Sequence, residues 1–176
     1  MKHIIISFVL ASVFCLSACS DDDVPGSEYN GLYEMTLHQT KSDCSADTWT
    51  DQEITAPYFR LEAQSLLGVP VIGWSDCTAP DPATCEDSIG LATSFALKDG
   101  VWQQHMTVSS FSNGECNLSY RHAILEDTPT GIRWEGVTKT GSITVADENA
   151  CEPELAEQRE DELECQSMSY YEADKL

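Results

Sequence analysis

The sequence predicts an all-β domain, an antiparallel meander that closes as a barrel or packs as a sandwich. Two observations carry this. Apolar and polar residues alternate with a period of two over successive short segments, the mark of half-buried antiparallel strands. Turn-forming residues (Gly68, Pro80-Asp81-Pro82, Asp99-Gly100, Asn113-Gly114, Asp127 to Gly131) stand between those segments.

The chain opens with a basic Met1-Lys2-His3, and Ile4 to Leu16 is thirteen residues, apolar apart from Ser7 and Ser12. That is the length of a secretory h-region; a bilayer span needs about 20 residues. Leu16-Ser17-Ala18-Cys19 then resembles the lipobox of bacterial lipoproteins. The resemblance implies a signal peptide over residues 1–18 and a diacylglycerol on the Cys19 sulfur, which anchors the chain to a membrane. The rival readings are an ordinary signal peptide cut after Ala18 and an uncleaved span. Residues 19–28 read as the lipidated cysteine and an acidic tether, since Asp21 to Glu28 is polar and rich in helix and strand breakers. In enterobacterial lipoproteins an Asp directly after the lipidated Cys retains the protein at the inner membrane. Here Ser20 holds that position, so the resemblance favours the outer membrane in a Gram-negative cell envelope.

Residues 29–176 read as one disulfide-stapled domain. Its strands are expected in Asn30 to His38, Pro57 to Gln64, Val69 to Trp74, Ile89 to Lys98, Trp102 to Val108, Cys116 to Ile124, Ile132 to Thr138 and Gln166 to Glu172. Val69 to Trp74 is a continuous apolar run; most of the others alternate. Cys116, Leu118, Tyr120, His122 and Ile124 share one face, taken as inward. Asn113-Gly114 admits two registers. A two-residue turn sets Met106 opposite Arg121 and His105 opposite His122, which would place the apolar sets of the two strands on opposite faces. A three-residue loop, Ser112 to Gly114, pairs Val108 with Leu118, Met106 with Tyr120 and Trp102 with Ile124. Because burial specifies register, the three-residue loop is expected. The two-residue register would make His105 and His122 a cross-strand metal pair; the three-residue loop separates them, with His122 inward beside Gln104 as a satisfied interior histidine and His105 outward.

Pro153 to Glu164 has strong helix formers and clustered acids, so a short helix or an ordered acidic loop is expected before the last strand. After Cys15 leaves with the signal peptide and Cys19 takes lipid, six cysteines remain, an even number that implies three disulfides in an exported chain. A helix over 153–164 would hold Cys151 and Cys165 too far apart to pair. In a meander whose first and last strands meet, Cys44 lies near Cys165, and Cys116 near Cys151. Cys77 and Cys85 close a Pro-rich loop. The expected pairs are therefore Cys44–Cys165, Cys116–Cys151 and Cys77–Cys85.

Once residues 1–18 are removed, eight basic residues face thirty acidic ones, a net charge of −22. Such a surface repels nucleic acid and anionic headgroups. No G-x-S-x-G elbow, H-E-x-x-H, P-loop or G-x-G-x-x-G is present, and no catalytic residue is assigned. No C-x-x-C pair, calcium-loop pattern or histidine spacing points to a metal, and no cofactor is expected.

Asn30-Gly31-Leu32-Tyr33-Glu34-Met35-Thr36 resembles the G-x-W opening strand of lipocalins, with Tyr33 in place of the Trp. The resemblance implies a lipocalin-like barrel able to hold one small ligand. Candidate pocket residues are Tyr33, Gln104, Tyr120, His122 and Trp134. The expected function is a lipid-anchored, noncatalytic module binding a small apolar ligand. The alternative is a structural or protein-interaction lipoprotein with a filled core and an acidic surface.

Overall fold

The computed structural model describes residues 24–86 and 94–176. The lipobox and most of the acidic run lie outside these residues, as do Ile89 and Leu91. Among the described residues nine strands form: β1 (Gly31–Lys41), β2 (Thr50–Asp51), β3 (Tyr58–Leu66), β4 (Val69–Cys77), β5 (Phe95–Lys98), β6 (Val101–Ser112), β7 (Glu115–Asp127), β8 (Gly131–Thr144) and β9 (Glu164–Lys175). Each pairs antiparallel with the next around the ring β1-β3-β4-β5-β6-β7-β8-β9, and β9 returns to β1. The sheet is thus a closed up-and-down barrel of eight strands, not a sandwich. Closure removes both free edges of the ring. The two-residue β2 is the strand the periodicity did not show. It pairs with Gln39 and Thr40, where β1 has already run past β3.

One end of the barrel is closed. Tyr33, Phe59, Leu61, Ile72 and Ile132 fill its interior at 0–1% exposure, with Trp102, Leu125 and Ala173 beside them. Gly26, read from sequence as part of the tether, is buried in this plug, while Pro25 and Glu28 are exposed. A 3₁₀ turn, Ser27–Tyr29, sets Tyr29 edge-on to Trp102. Gly26 enables the approach, since a Cβ there would lie 2.6 Å from the Trp102 ring.

A second core lies outside the barrel. The β8–β9 connection folds back over the outer face as a short helix, α1 (Glu154–Gln158), and a 3₁₀ turn, Glu160–Glu162. This is the acidic helix expected before the last strand. Ala156 and Leu163 bury against Cys116, Leu118 and Tyr120. Gly141 leaves the room that Leu163 needs. The Cys116–Cys151 bridge ties this flap to β7, while Cys44–Cys165 joins the connection after β1 to the start of β9, and Cys77–Cys85 closes the loop after β4. All three pairs are those expected from the sequence, two from the meander and Cys77–Cys85 from local loop closure.

The β6–β7 register corrects the expectation. Ser112 pairs with Glu115 across a two-residue Asn113-Gly114 turn, so Met106 faces Arg121 and His105 faces His122. Cys116, Leu118 and Tyr120 are buried as predicted, but under the flap rather than in the lumen. Ala123 and Leu125 supply the inward apolar positions of β7.

Three hairpins share one turn geometry, with two successive positive φ values: Leu67-Gly68 (51° and 84°), Asp99-Gly100 (54° and 81°) and Asn113-Gly114 (54° and 83°). Asp and Asn tolerate the first position; leucine does not. Leu67 is also 99% exposed, so packing does not offset the strain. Leu67→Asn is expected to raise the unfolding free energy by about 0.5–1 kcal/mol. A urea midpoint that stays put or falls would show that the turn is not strained.

Candidate functional site

The lumen is filled at the closed end and open at the other. There a cavity of about 250 Å³ is lined by Met35, Trp74, Asp76, Phe95, Gln104, Arg121, Trp134 and Tyr171. These residues come from β1, β4, β5, β6, β7, β8 and β9, so the cavity needs the closed barrel. Its aromatic surface is one connected stack. Trp134 stacks on Tyr171 at 4.6 Å and meets Trp74 edge-on at 5.3 Å, while Trp74 stacks on the buried Phe59 at 3.7 Å. His38 stacks on the far face of the same group, 4.3 Å from Tyr171.

Polar groups are few and placed around this aromatic floor. The Trp74 Nε1–H donates to Asp76 Oδ1 at 2.8 Å, which fixes the indole and occupies one oxygen of the exposed carboxylate. Arg121 is half-buried and has no hydrogen-bond or ion-pair partner among the described residues. An arginine carries five N–H donors and is always charged, so a partly desolvated guanidinium with no counter-ion favours an anion.

Two of the sequence-predicted pocket residues are in this cavity, Gln104 and Trp134. Three are not. Tyr33 is sealed in the closed end, stacked on Phe59 at 5.5 Å, with its hydroxyl donating to the Tyr29 carbonyl at 2.8 Å. Tyr120 lies beneath the flap. His122 is on the outer wall, across from His105. The register explains both misplacements: a one-residue slip exchanges the two faces of a strand. The same slip hid Arg121, which sits between Tyr120 and His122. Trp74 was missed because an uninterrupted apolar run has no phase. The available signal for Arg121 was the Asn-Gly dipeptide itself, whose preferred two-residue turn sets Arg121 opposite the inward Met106.

A larger depression, about 540 Å³, lies on the outer face of β7 to β9, between His122, Arg133, Met168 and Tyr170. Its arginine is already bound: Arg133 Nε lies 2.7 Å from Glu126 Oε2. The lumen, with an enclosing aromatic wall and an unpaired cation, is the better-built site.

Burial also shifts the tyrosines. Desolvation holds Tyr33 and Tyr120 up to about 12, from an ordinary 10.0, and raises Tyr29 further. A raised folded value means that the native state keeps its protons where the unfolded chain has lost them. The associated stability is therefore complete below pH 10 and is lost as the pH rises from 10 towards 12. Urea titrations are expected to give a constant unfolding free energy up to about pH 9.5, then a steady fall. A flat profile through pH 11 would contradict this assignment of the buried phenols.

No protein-family model, curated protein or solved structure matches the chain. What the geometry defines is a closed, disulfide-linked β-barrel of lipocalin-like architecture with a half-filled lumen.

Proposed function

We propose that the protein is a noncatalytic binding module, held to a membrane of the cell envelope through lipid on Cys19, and that its barrel takes one small, mostly apolar ligand carrying an acidic group. The observation that carries this reading is the unpaired Arg121 on the wall of an aromatic cavity. Stacking surfaces from Trp74, Trp134 and Tyr171 suit an aromatic or short aliphatic body. The cavity volume, just below the usual range for ligand pockets, suits a molecule of one ring or a short acyl chain. The described N-terminal segment packs at the closed end, so the mouth of the cavity lies away from it. Three bridged cysteine pairs support an oxidising, exported location.

The structural alternative draws support from the closed half, where the core is solid. It leaves Arg121 without a role.

The test uses 3-phenylpropionate and octanoate as probes, read by tryptophan emission, since Trp74 and Trp134 line the cavity. Binding should be saturable. Arg121→Leu should weaken it by about 1.5–3 kcal/mol, roughly ten- to a hundredfold in Kd. The amide of phenylpropionate should bind both forms equally. Equal affinity of acid and amide for the wild-type protein would remove the anionic group from the proposal. No response to any probe would favour the structural alternative.

A further inference from the structure

We propose a second, separate site on the outer wall of the barrel: His105 and His122, with the amide oxygen of Gln103, form a binding site for a divalent transition metal of the zinc, nickel or copper type. The two histidines are directly paired across β6 and β7. Their rings lie 4.5 Å apart, 26° from parallel. Both Nε2 atoms lie 3.0 Å from one atom, Gln103 Oε1. Two imidazole nitrogens and an amide oxygen are therefore neighbours at the surface, where an ion seated between them could complete its coordination with solvent. Imidazole selects zinc, nickel and copper over calcium and magnesium, which prefer oxygen.

The surroundings favour coordination. Tyr120 Oη lies 3.2 Å from His105 Nδ1. When the metal takes the Nε2 lone pair, the imidazole proton moves to Nδ1, and the Tyr120 oxygen can accept it. This is the outer hydrogen bond that commonly orients a metal-binding histidine. Each ring keeps one proton, so binding releases none from a neutral pair. The charged neighbours balance. Lys98 of β5 is 3.5 Å from Glu157 of α1, and Lys139 of β8 is 2.7 Å from Glu160 on the flap. Among the described residues no group of three or more His, Cys, Asp and Glu is placed to hold a metal, so the site is a two-histidine one. It owes nothing to the lumen, and its test is independent of the ligand reading.

The experiment is a titration of the full chain with Zn²⁺, and separately Ni²⁺, at pH 7.5 in excess Mg²⁺ to occupy the acidic surface. Calorimetry gives the stoichiometry, and imidazole NMR signals locate the ion. One ion per chain is expected, with the His105 and His122 signals shifted by Zn²⁺ and broadened by Ni²⁺. His105→Ala and His122→Ala should each weaken binding by at least about tenfold, as loss of a chelating partner requires. His105 is exposed, so its variant should fold normally, which a far-UV spectrum checks. Unchanged affinity in either variant, no binding by the wild-type chain, or Ni²⁺ broadening at His38 instead would each overturn the proposal.

Discussion

Removing the Cys44–Cys165 bridge by the double replacement Cys44→Ser, Cys165→Ser is expected to lower the unfolding free energy by about 4–5 kcal/mol. The bridged residues are 121 apart in sequence, the longest of the three loops, so this bridge constrains the unfolded chain most. In the native barrel the same region is held independently, because β9 pairs with β1 from Tyr33 to Lys41. The loss therefore falls mainly on the unfolded state, whose entropy rises. Loop length then ranks the three bridges. Cys116–Cys151, with a separation of 35, should cost less, and Cys77–Cys85, with a separation of 8, least. Chain-entropy scaling puts these at about 4 and about 2.5 kcal/mol. Urea denaturation of the three double variants decides it. Equal losses, or the largest loss from the short loop, would mean that native contacts around each bridge dominate over chain entropy.

The second large effect is expected from Phe59→Ala, at about 3–5 kcal/mol. Phe59 is 0% exposed and stands between the filled and open halves of the lumen. It stacks on Trp74 at 3.7 Å, on Tyr33 at 5.5 Å, and meets Trp134 edge-on at 5.9 Å. Truncation leaves a ring-sized void beneath the cavity floor, and a rigid closed barrel collapses little to fill it. The same void joins the cavity, so the variant should also accept longer probes, with decanoate gaining relative to octanoate. Phe59→Leu should cost much less, because most of the volume is kept. A loss under about 1 kcal/mol for the alanine variant would show that the aromatic stack is not the element that holds the barrel together.

The barrel was legible because its strands are half-buried and alternate, and because turn residues punctuate them. The disulfides were legible for a topological reason: once first and last strands are taken to meet, Cys44 and Cys165 must approach each other. What misled was the side of the sheet. Cys116, Leu118 and Tyr120 alternate as an inward face would, yet they are covered from outside by Ala156 and Leu163 of the flap. Periodicity reports that a face is buried, not what buries it. With that face taken as inward, burial demands the three-residue loop and outweighs the local preference of Asn113-Gly114 for a two-residue turn. Arg121, the most informative residue of the lumen, went to the wrong side with it. Trp74 and Tyr171 carry no mark of their own as cavity residues. Their role comes from the closure of β9 onto β1, which brings distant segments of the chain around one space.

The most direct test of the lumen as a binding site is native against denaturing mass spectrometry of the protein exported by a bacterial host and extracted in mild detergent, for the wild-type chain and for Arg121→Leu. A small acidic molecule should accompany the wild-type protein in the native spectrum, disappear on denaturation, and be absent from the variant. The same adduct on both proteins would place the ligand elsewhere. Bare wild-type protein that also fails to take up 3-phenylpropionate would contradict a binding role for the barrel.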